Sequence, residues 1–505
     1  MDCGNFHSYI VPGLDVLIGD PSFLTPTEDT KPKAEMLFIP SFYVYRTMDF
    51  YKEQSNRGDS ARELTTIFGE IAGRMNYNNS DTFVFKNGMR LKFQDFPEHP
   101  VFHGLNGNSS EKYSSSKFHA IATAKALQKQ YGKGKVAIMT GSDILATPAI
   151  FNQIDVARVN PDVYTGRVRV EFPDECAGHW WANHAIPKAV WDDIFPNHPL
   201  VLNQYVEFSF ESNGRSSRPF SAIGRFNGEA VVPLKSMYID HLAFRRIQPK
   251  TPGQAMLFDA LLTPSSELPI VIVSGIFGTG KTFCTVATGL AQAMQQKYER
   301  IFVCPQDSAL GREIGFLKGD KLDKVLPQAA PILDNLESVV RLMDRATNPA
   351  SEQKSREGGT AKQPNEPKPE NKEVEPELGV EQRKLLAERY REQYFEFEPL
   401  VFMKGRSIER SFIVYDEFQD TERSQARALL SRIGNDSKIV IMGDPNQTTN
   451  PHLNRTSNGL SYSASKMAGD PLAAVITFDE NSEVVRSDAA KHIAERFSMH
   501  GSVRI

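Results

Sequence analysis

Cysteine is scarce in this chain. Four occur in 505 residues, Cys3, Cys176, Cys284 and Cys304. No two are spaced as Cys-x-x-Cys, which excludes a disulfide framework and a zinc ribbon. Long apolar runs are missing as well, so the sequence offers no membrane span, and its first residues lack the basic-then-apolar order of an export signal. A reducing, cytoplasmic setting with no membrane partner is the expectation. Excess charge of one sign is also wanting. The 58 Lys and Arg residues face 62 Asp and Glu, a net charge of −4, so a general nucleic-acid coat is excluded and any nucleic-acid site has to be a local basic groove. Tryptophan is confined to Trp180, Trp181 and Trp191, beside His179 and His184. Those histidines have no cysteine partners, which argues against a metal site, and the tryptophans are expected to pack a core rather than stack on bases.

What is present suits a folded protein. Hydrophobic residues make up 40% and charged residues 24%, ordinary for a globular chain, and the length allows roughly two to four domains. The most informative segment is Gly275-Ile-Phe-Gly-Thr-Gly-Lys-Thr282, which fits G-x-x-x-x-G-K-[ST] at every fixed position. The pattern describes a physical device. Gly275, Gly278 and Gly280 let the backbone curl, so that its N–H groups, Thr279 included, point inward at nucleotide phosphates. Lys281 then reaches the β- and γ-phosphates, and the Thr282 hydroxyl holds Mg²⁺. The flanks agree: Leu268–Ser274 reads as a buried parallel strand, and Thr282–Tyr298 carries Val286, Leu290 and Met294 at helical spacing. ATP and Mg²⁺ are the cofactors implied.

Two further strands end in polar residues. Phe412–Tyr415 runs into Asp416, Glu417, Phe418, Gln419 and Asp420. An Asp at a strand tip orients Mg²⁺ through water, and a neighbouring carboxylate activates the attacking water, roles that fall to Asp416 and Glu417. Lys438–Met442 delivers Gly443-Asp-Pro-Asn-Gln447, where a polar side chain can sense the γ-phosphate.

The chain divides into parts by pattern. Residues 1–160 alternate strands and helices, an α/β arrangement. Residues 161–247 form a small β-rich module: Val168–Phe172 and Tyr205–Phe210 alternate at period two, and Asn227-Gly228 between apolar runs signals a hairpin. Residues 248–505 form the nucleotide-binding α/β domain with a parallel sheet. Asn348–Gly379 interrupts it, has no aromatic residue, and is crowded with Pro, Glu, Lys, Gln and Gly; its composition reads as a disordered insertion. Glu381–Gln393 reads as a solvated helix with Leu385, Leu386 and Tyr390 on its inner face.

These residues carry a resemblance. From about Gln248 to Phe497 the chain resembles the PhoH family, relatives of superfamily-one helicases with a RecA-like fold. The shared segments are Pro249-Lys-Thr-Pro-Gly-Gln254, the glycine loop, Ile314–Asp320, Gly405-Arg-Ser407, Asp416–Asp420, Gly443–Gln447 and Ser457–Tyr462. The resemblance implies that Gln254 reads adenine, that Glu417 is the general base, and that Gln419 and Gln447 contact the γ-phosphate or catalytic water. It also implies a ring, a hexamer, in which Arg486 completes a neighbour's site; Arg406 and Arg432 are the other candidates for that arginine. One departure is that Cys304-Pro305 stands where the family has an arginine before the proline. RNA, or single-stranded nucleic acid, is the partner implied, and ATP-driven translocation or unwinding the activity.

Residues 9–21, Phe38–Pro40, Ala120–Gln128 and Val136–Asp143 are similar to segments of PIN ribonucleases. Such nucleases gather several carboxylates on divalent metal. Here the first acid position falls on Gly13, the helix glutamate on Tyr45, and the next cluster on Ser116-Lys117-Phe118, with only Asp143 near an expected acid. Asp15, Asp20, Asp49 and Glu111 are expected to be ordinary solvated carboxylates. The expectation is a PIN-like fold without nuclease activity. The rivals are a helicase–ribonuclease using other acids and a nucleotide-switched assembly protein.

Overall fold

The computed structural model describes the chain apart from residues 1–6, 20, 27, 29–31, 33, 42, 45–57, 95–115, 142, 159–163, 210–221, 236, 305–328, 348–377, 399–406, 450–452, 454, 456–457, 479–482 and 486–505. It divides into two compact units, Met1–Asp162 and Val163–Ile505.

The first unit is built on strands β1 (Tyr9–Pro12), β2 (Met36–Ile39), β3 (Phe83–Val84), β4 (Arg90–Phe93), β5 (Val136–Thr140) and β6 (Asp155–Arg158). They form one sheet in the order β3-β4-β2-β1-β5-β6, parallel except for the β3–β4 pair. β1 and β5 are interior strands buried on both faces, which is why they read as unbroken apolar runs. Helix Gly58–Tyr77 sets Leu64, Phe68 and Ile71 into the core at helical spacing.

At the tips of β1 and β5, Asp15 accepts hydrogen bonds from the Thr140 hydroxyl at 2.9 Å and from the Gly141 N–H at 2.9 Å. A Cβ on Gly13 would lie 2.2 Å from Asp15 Oδ1, so this carboxylate fills the space a side chain at position 13 would take. Though exposed, Asp15 is tied to β5, which is more than the solvated carboxylate expected. Asp20, Tyr45, Asp49 and Glu111 lie outside the described residues, as do the side chains of Lys117 and Asp143.

The second unit holds two sheets. Strands β7 (Arg167–Glu171), β8 (Ile186–Pro187), β9 (Tyr205–Ser209), β10 (Ile223–Phe226) and β11 (Ala230–Pro233) pair in the order β7-β9-β10-β11-β8. Only β7–β9 is parallel. Asn227-Gly228 closes the β10–β11 hairpin: Gly228 has φ 98°, and Asn227 Oδ1 accepts from the N–H groups of Glu229 and Ala230. Trp180 and Trp191 pack with Phe208 in the core as expected. Trp181 does not; it is 50% exposed, because it follows Trp180 directly on the π-helical turn Gly178–Ala182 and so leaves on a different side.

Strands β12 (Ile270–Ser274), β13 (Arg300–Cys304), β14 (Phe395–Phe397), β15 (Ser411–Tyr415), β16 (Lys438–Gly443) and β17 (Ala473–Thr477) form a parallel sheet ordered β14-β13-β15-β16-β12-β17. Helix Lys281–Met294 buries Val286 and Leu290 against it. Helix Val380–Tyr394 packs Leu386, Tyr390 and Tyr394 inward at i, i+4 spacing. Leu385 is 63% exposed, which corrects the expected inner face, since it precedes Leu386 by one residue, about 100° around the helix, and turns to solvent. Of the composition-defined insertion, residues 348–377 lie outside the described residues. Helices Ala330–Thr347 and Val380–Tyr394 flank it.

The two sheets of this unit meet closely. Gly166, with φ 57°, lets the chain entering β7 approach β17 so tightly that a Cβ there would fall 1.9 Å from the Val475 carbonyl oxygen. The Asn203 amide donates to the carbonyls of Asp470, Pro471 and Ala473. A buried polar knot joins β9 and β10 to helix Pro252–Leu262: the Tyr205 hydroxyl donates to Asp259 at 3.1 Å, and Arg225 bonds Thr263 and Glu267. Lys438 donates to the Ala260 and Thr263 carbonyls at the end of that helix, and burial pulls its ammonium down to about 7.

Candidate nucleotide-hydrolysis site

The carboxyl ends of β12, β15 and β16 converge, the region where parallel sheets bind ligands. β16 lies between β12 and β15, so the loop after β12 and the acids after β15 face one another across its tip. In register, Ser274 pairs with Gly443 and with Thr477. The Gly275 N–H donates to the Gly443 carbonyl at 3.1 Å, and the Phe478 N–H to the Ser274 carbonyl at 2.8 Å.

The loop turns through left-handed glycines, Gly278 at φ 81° and Gly280 at φ 88°, conformations that other residues adopt only under strain. Gly280 then caps helix Lys281–Met294, whose N-terminal N–H groups suit an anion. The Thr279 hydroxyl donates to the Ile276 carbonyl at 3.0 Å. Lys281 Nζ donates to the carbonyls of Gly275 at 2.6 Å and Ile276 at 2.9 Å, which holds the ammonium over the loop. Beneath it, a Cβ on Gly275 would come 2.7 Å from Phe478 Cβ.

The Thr282 hydroxyl donates to Asp416 Oδ2 at 3.2 Å. Two ligands on one edge of an octahedron around Mg²⁺ lie about 3.0 Å apart for bonds of ~2.1 Å. The oxygen pair therefore fits a shared cation. Among the described residues no group of three or more His, Cys, Asp or Glu is placed to hold a metal ion, so the protein's share here is a hydroxyl and one carboxylate. This is the donor set Mg²⁺ takes when it keeps waters and binds substrate phosphates. Burial raises the Asp416 carboxyl to about 6, with Glu417 adding to the rise and Lys281 opposing it.

Glu417 follows in the left-handed region at φ 52°, ψ 39°, a conformation that costs about 1–3 kcal/mol in a non-glycine residue and collects at functional sites. Its N–H donates to Asp416 Oδ1 at 3.0 Å, and its carboxylate accepts from Gln419 Nε2 at 2.7 Å. Gln419 is buried and its Oε1 accepts from the Asp444 N–H at 3.1 Å. Gln447 Nε2 donates to Asp444 Oδ2 at 2.7 Å. The acid pair and the Gly443–Gln447 turn are thus one hydrogen-bonded assembly.

Gln254 sits behind the loop. Its Nε2 donates to the Thr279 carbonyl at 2.9 Å and its Oε1 accepts from the Lys250 N–H at 2.8 Å, so both ends of the amide are engaged within the chain. Arg432 Nε donates to the Ala428 carbonyl; Arg406 and Arg486 lie outside the described residues. Val485, one position before Arg486, donates its N–H to the Gly278 carbonyl at 2.9 Å. Three residues here escaped the sequence reading: Asp444, Glu483 and Arg167. Asp444 stands inside the Gly443–Gln447 turn, where its spacing alone reveals no role. For Glu483 and Arg167 no spacing or pattern gave a signal.

The PhoH-like protein family pattern matches residues 246–498, the stretch that contains every element of this site from Gln254 to Val485. The chain belongs to the PhoH family. Its PhoH domain is accordingly a P-loop ATPase fold. Among similar proteins, the Bacillus subtilis protein PhoH2 is 25% identical over 469 residues, spanning 91% of this chain and 93% of its own length. A Thermobispora bispora protein PhoH2 is 28% identical over 262 residues, 51% of this chain and 49% of its own length. A second Bacillus subtilis relative, a PhoH-like protein, is 25% identical over 253 residues, 50% of this chain and 64% of its own length. Among the described residues no helix is long and apolar enough to cross a membrane.

Proposed function

We propose that this PhoH-family chain hydrolyses ATP with Mg²⁺ and couples the hydrolysis to translocation on, or unwinding of, RNA or single-stranded nucleic acid. The observation that carries the hydrolytic half is the Thr282–Asp416 contact beside Glu417. A cation-holding pair and a carboxylate braced by Gln419 stand together at the mouth of a glycine loop. Bound with Mg²⁺, ATP supplies a γ-phosphoryl group open to in-line displacement. Lys281 offsets the charge that develops on the phosphate oxygens. Glu417 takes the proton of the attacking water, and Gln419 keeps its carboxylate aimed. Through Gln419 and Asp444, the turn that bears Gln447 is linked to the base, a route by which loss of phosphate reaches the surface.

The nucleic-acid half rests on the likeness of Asp416–Asp420 and Gly443–Gln447 to the PhoH family, relatives of superfamily-one helicases. The parallel sheet of the first unit, similar in sequence to PIN ribonucleases, serves in this reading as a guide or assembly module without cleavage. Arg486, next to Val485, completes a neighbouring subunit's site in a homo-oligomeric ring, a hexamer, in the cytoplasm.

The test is the ATPase rate of a sized oligomer with and without RNA or single-stranded DNA, with Lys281→Ala as control and with RNA integrity followed in Mn²⁺. Stimulation by nucleic acid that vanishes in Lys281→Ala supports the reading. Turnover indifferent to nucleic acid refutes the coupling, RNA cleavage would restore the nuclease reading, and nucleotide-dependent assembly without turnover would favour a switch.

A further inference from the structure

We propose that Arg167, on β7 of the five-stranded sheet, is a positioning residue for the nucleotide loop, acting through Glu483. This rests on the reading of that loop as an ATP site. Arg167 is 8% exposed and Glu483 1% exposed. The guanidinium donates to Glu483 Oε2 at 2.9 Å, to the Thr477 carbonyl at 3.4 Å and to the Glu207 carboxylate. Arginine suits this place because its rigid fork serves several acceptors at once.

The other oxygen of Glu483 carries the link forward. Oε1 accepts from the Gly253 N–H at 2.6 Å. Gly253 lies in the first turn of helix Pro252–Leu262, whose leading N–H groups lack partners inside the helix. Thr251 serves the next one, accepting from the Gln254 N–H at 3.2 Å. A carboxylate at this end is favoured by the helix dipole, more so when buried. The space is tight: a Cβ on Gly253 would meet Phe478 at 2.7 Å and Glu483 Oε2 at 2.8 Å. The Gln254 side chain then donates to Thr279 in the loop. On the C-terminal side of Glu483, Val484 packs on Ile276, and the Val485 N–H holds the Gly278 carbonyl.

Glu483 therefore grips the loop from two directions, through the helix that bears Gln254 and through the strap Glu483–Val485. Its charge is buried, and among the described residues Arg167 pairs with it at 2.9 Å. Without Arg167, ionised Glu483 moves toward water or takes up a proton, and both grips loosen. The consequence is a loop that curls less readily around phosphate, which reads as weaker ATP capture rather than slower chemistry.

The experiment measures KM and kcat for ATP, and the thermal unfolding midpoint, on the full chain and its Arg167→Ala, Arg167→Lys, Glu483→Gln and Arg167→Ala/Glu483→Gln variants. We expect Arg167→Ala to raise KM about tenfold, the size of one lost hydrogen bond, with kcat within about twofold of the parent. Arg167→Lys, which keeps the charge, recovers most of the KM. In the Glu483→Gln background, Arg167→Ala adds nothing further to KM. An unchanged KM in folded Arg167→Ala, or KM effects of the two single variants that simply multiply, overturns the proposal. If Arg167→Ala does not fold, Glu483→Gln alone decides, with an unchanged KM as the overturning result. A parent that lacks turnover refutes the hydrolytic reading, and the same comparison is then read as the Kd of a fluorescent ATP analogue. A parent that binds no nucleotide ends both.

Discussion

Gln419 Nε2 donates to the Glu417 carboxylate at 2.7 Å while Gln419 Oε1 accepts from the Asp444 N–H at 3.1 Å. One buried amide therefore sets the distance between the carboxylate that follows β15 and the turn that follows β16. Amide geometry fixes both bonds together, so a shift at Asp444 is felt at Glu417. The Glu417 carboxylate is oriented by the neighbouring strand's turn as well as by its own.

Removing the proton acceptor separates binding from chemistry. Glu417→Gln is expected to lower kcat by about 10²–10⁴-fold, the range for loss of general base catalysis, while the Kd for ATP stays near that of the parent. Single-turnover hydrolysis and equilibrium binding on the same preparation check this. A Kd weakened as much as in Lys281→Ala would assign Glu417 to binding instead.

A methyl group at the tip of β16 should break the same assembly. A Cβ on Gly443 would lie 2.0 Å from Gln419 Oε1, and overpacking of this kind costs about 1–3 kcal/mol. Gly443→Ala is expected to lower the melting midpoint by a few degrees and to reduce kcat, because Gln419 has to leave Glu417. A melt and a steady-state assay suffice. Retained kcat would mean Gln419 does not orient the base.

The Asp416 carboxyl gives a pH signature. Its folded-state value is about 6 against 3.8 for the ordinary carboxyl, so between those values the folded chain binds more protons than the unfolded one. Stability then falls as pH rises through that window and is flat, for this group, above it and below it. Asp416→Asn carries no such penalty. With a chelator present, the variant should melt above the parent at pH 7 to 8, and the gap should close as pH falls to about 4. A gap independent of pH would remove the carboxylate as its cause.

Residues 248–505 should not stand alone. Cutting at residue 248 strips Arg225 and Tyr205 from Asp259 and Arg167 from Glu483. A buried charge left without its partner costs about 3–5 kcal/mol, and a domain's whole stability is about 5–15 kcal/mol. Two such losses are ruinous. Fragment 163–505 is expected to melt cooperatively, and fragment 248–505 to lack a cooperative transition in circular dichroism. A sharp melt of the shorter fragment would refute the energetic weight given to these contacts.

Much of this architecture is legible in sequence where one physical cause dominates. β12, β15 and β16 are buried on both faces, so they appear as short apolar runs, and the site residues follow at their tips by chain order alone. The β10–β11 hairpin is announced by Asn227-Gly228, since few residue pairs tolerate that turn. Helix Val380–Tyr394 is legible as a helix, yet the face of Leu385 is not, because neighbouring leucines do not reveal which of them meets the core. Arg167 and Glu483 are not legible. Each looks like a surface charge until the fold brings β7 and the strap after β17 together, and the same holds for Gly166, whose need for a bare Cα arises only from Val475.

Arg167 and Glu483 are separated by 316 residues of chain. At the roughly 5–20 residues per second of ribosomal synthesis, β7 is made about a quarter of a minute to a minute before the carboxylate it holds. The five-stranded sheet can assemble from nearby sequence in that interval, but the edge that Gly166 presses on β17 has nothing yet to press against. The glycine loop, Lys281 and Glu417 all emerge while the strap that grips the loop is still unmade. A nascent chain halted before residue 483 therefore carries Lys281 and Glu417 but still lacks the contacts by which Glu483, Val484 and Val485 reach the glycine loop and the helix behind it.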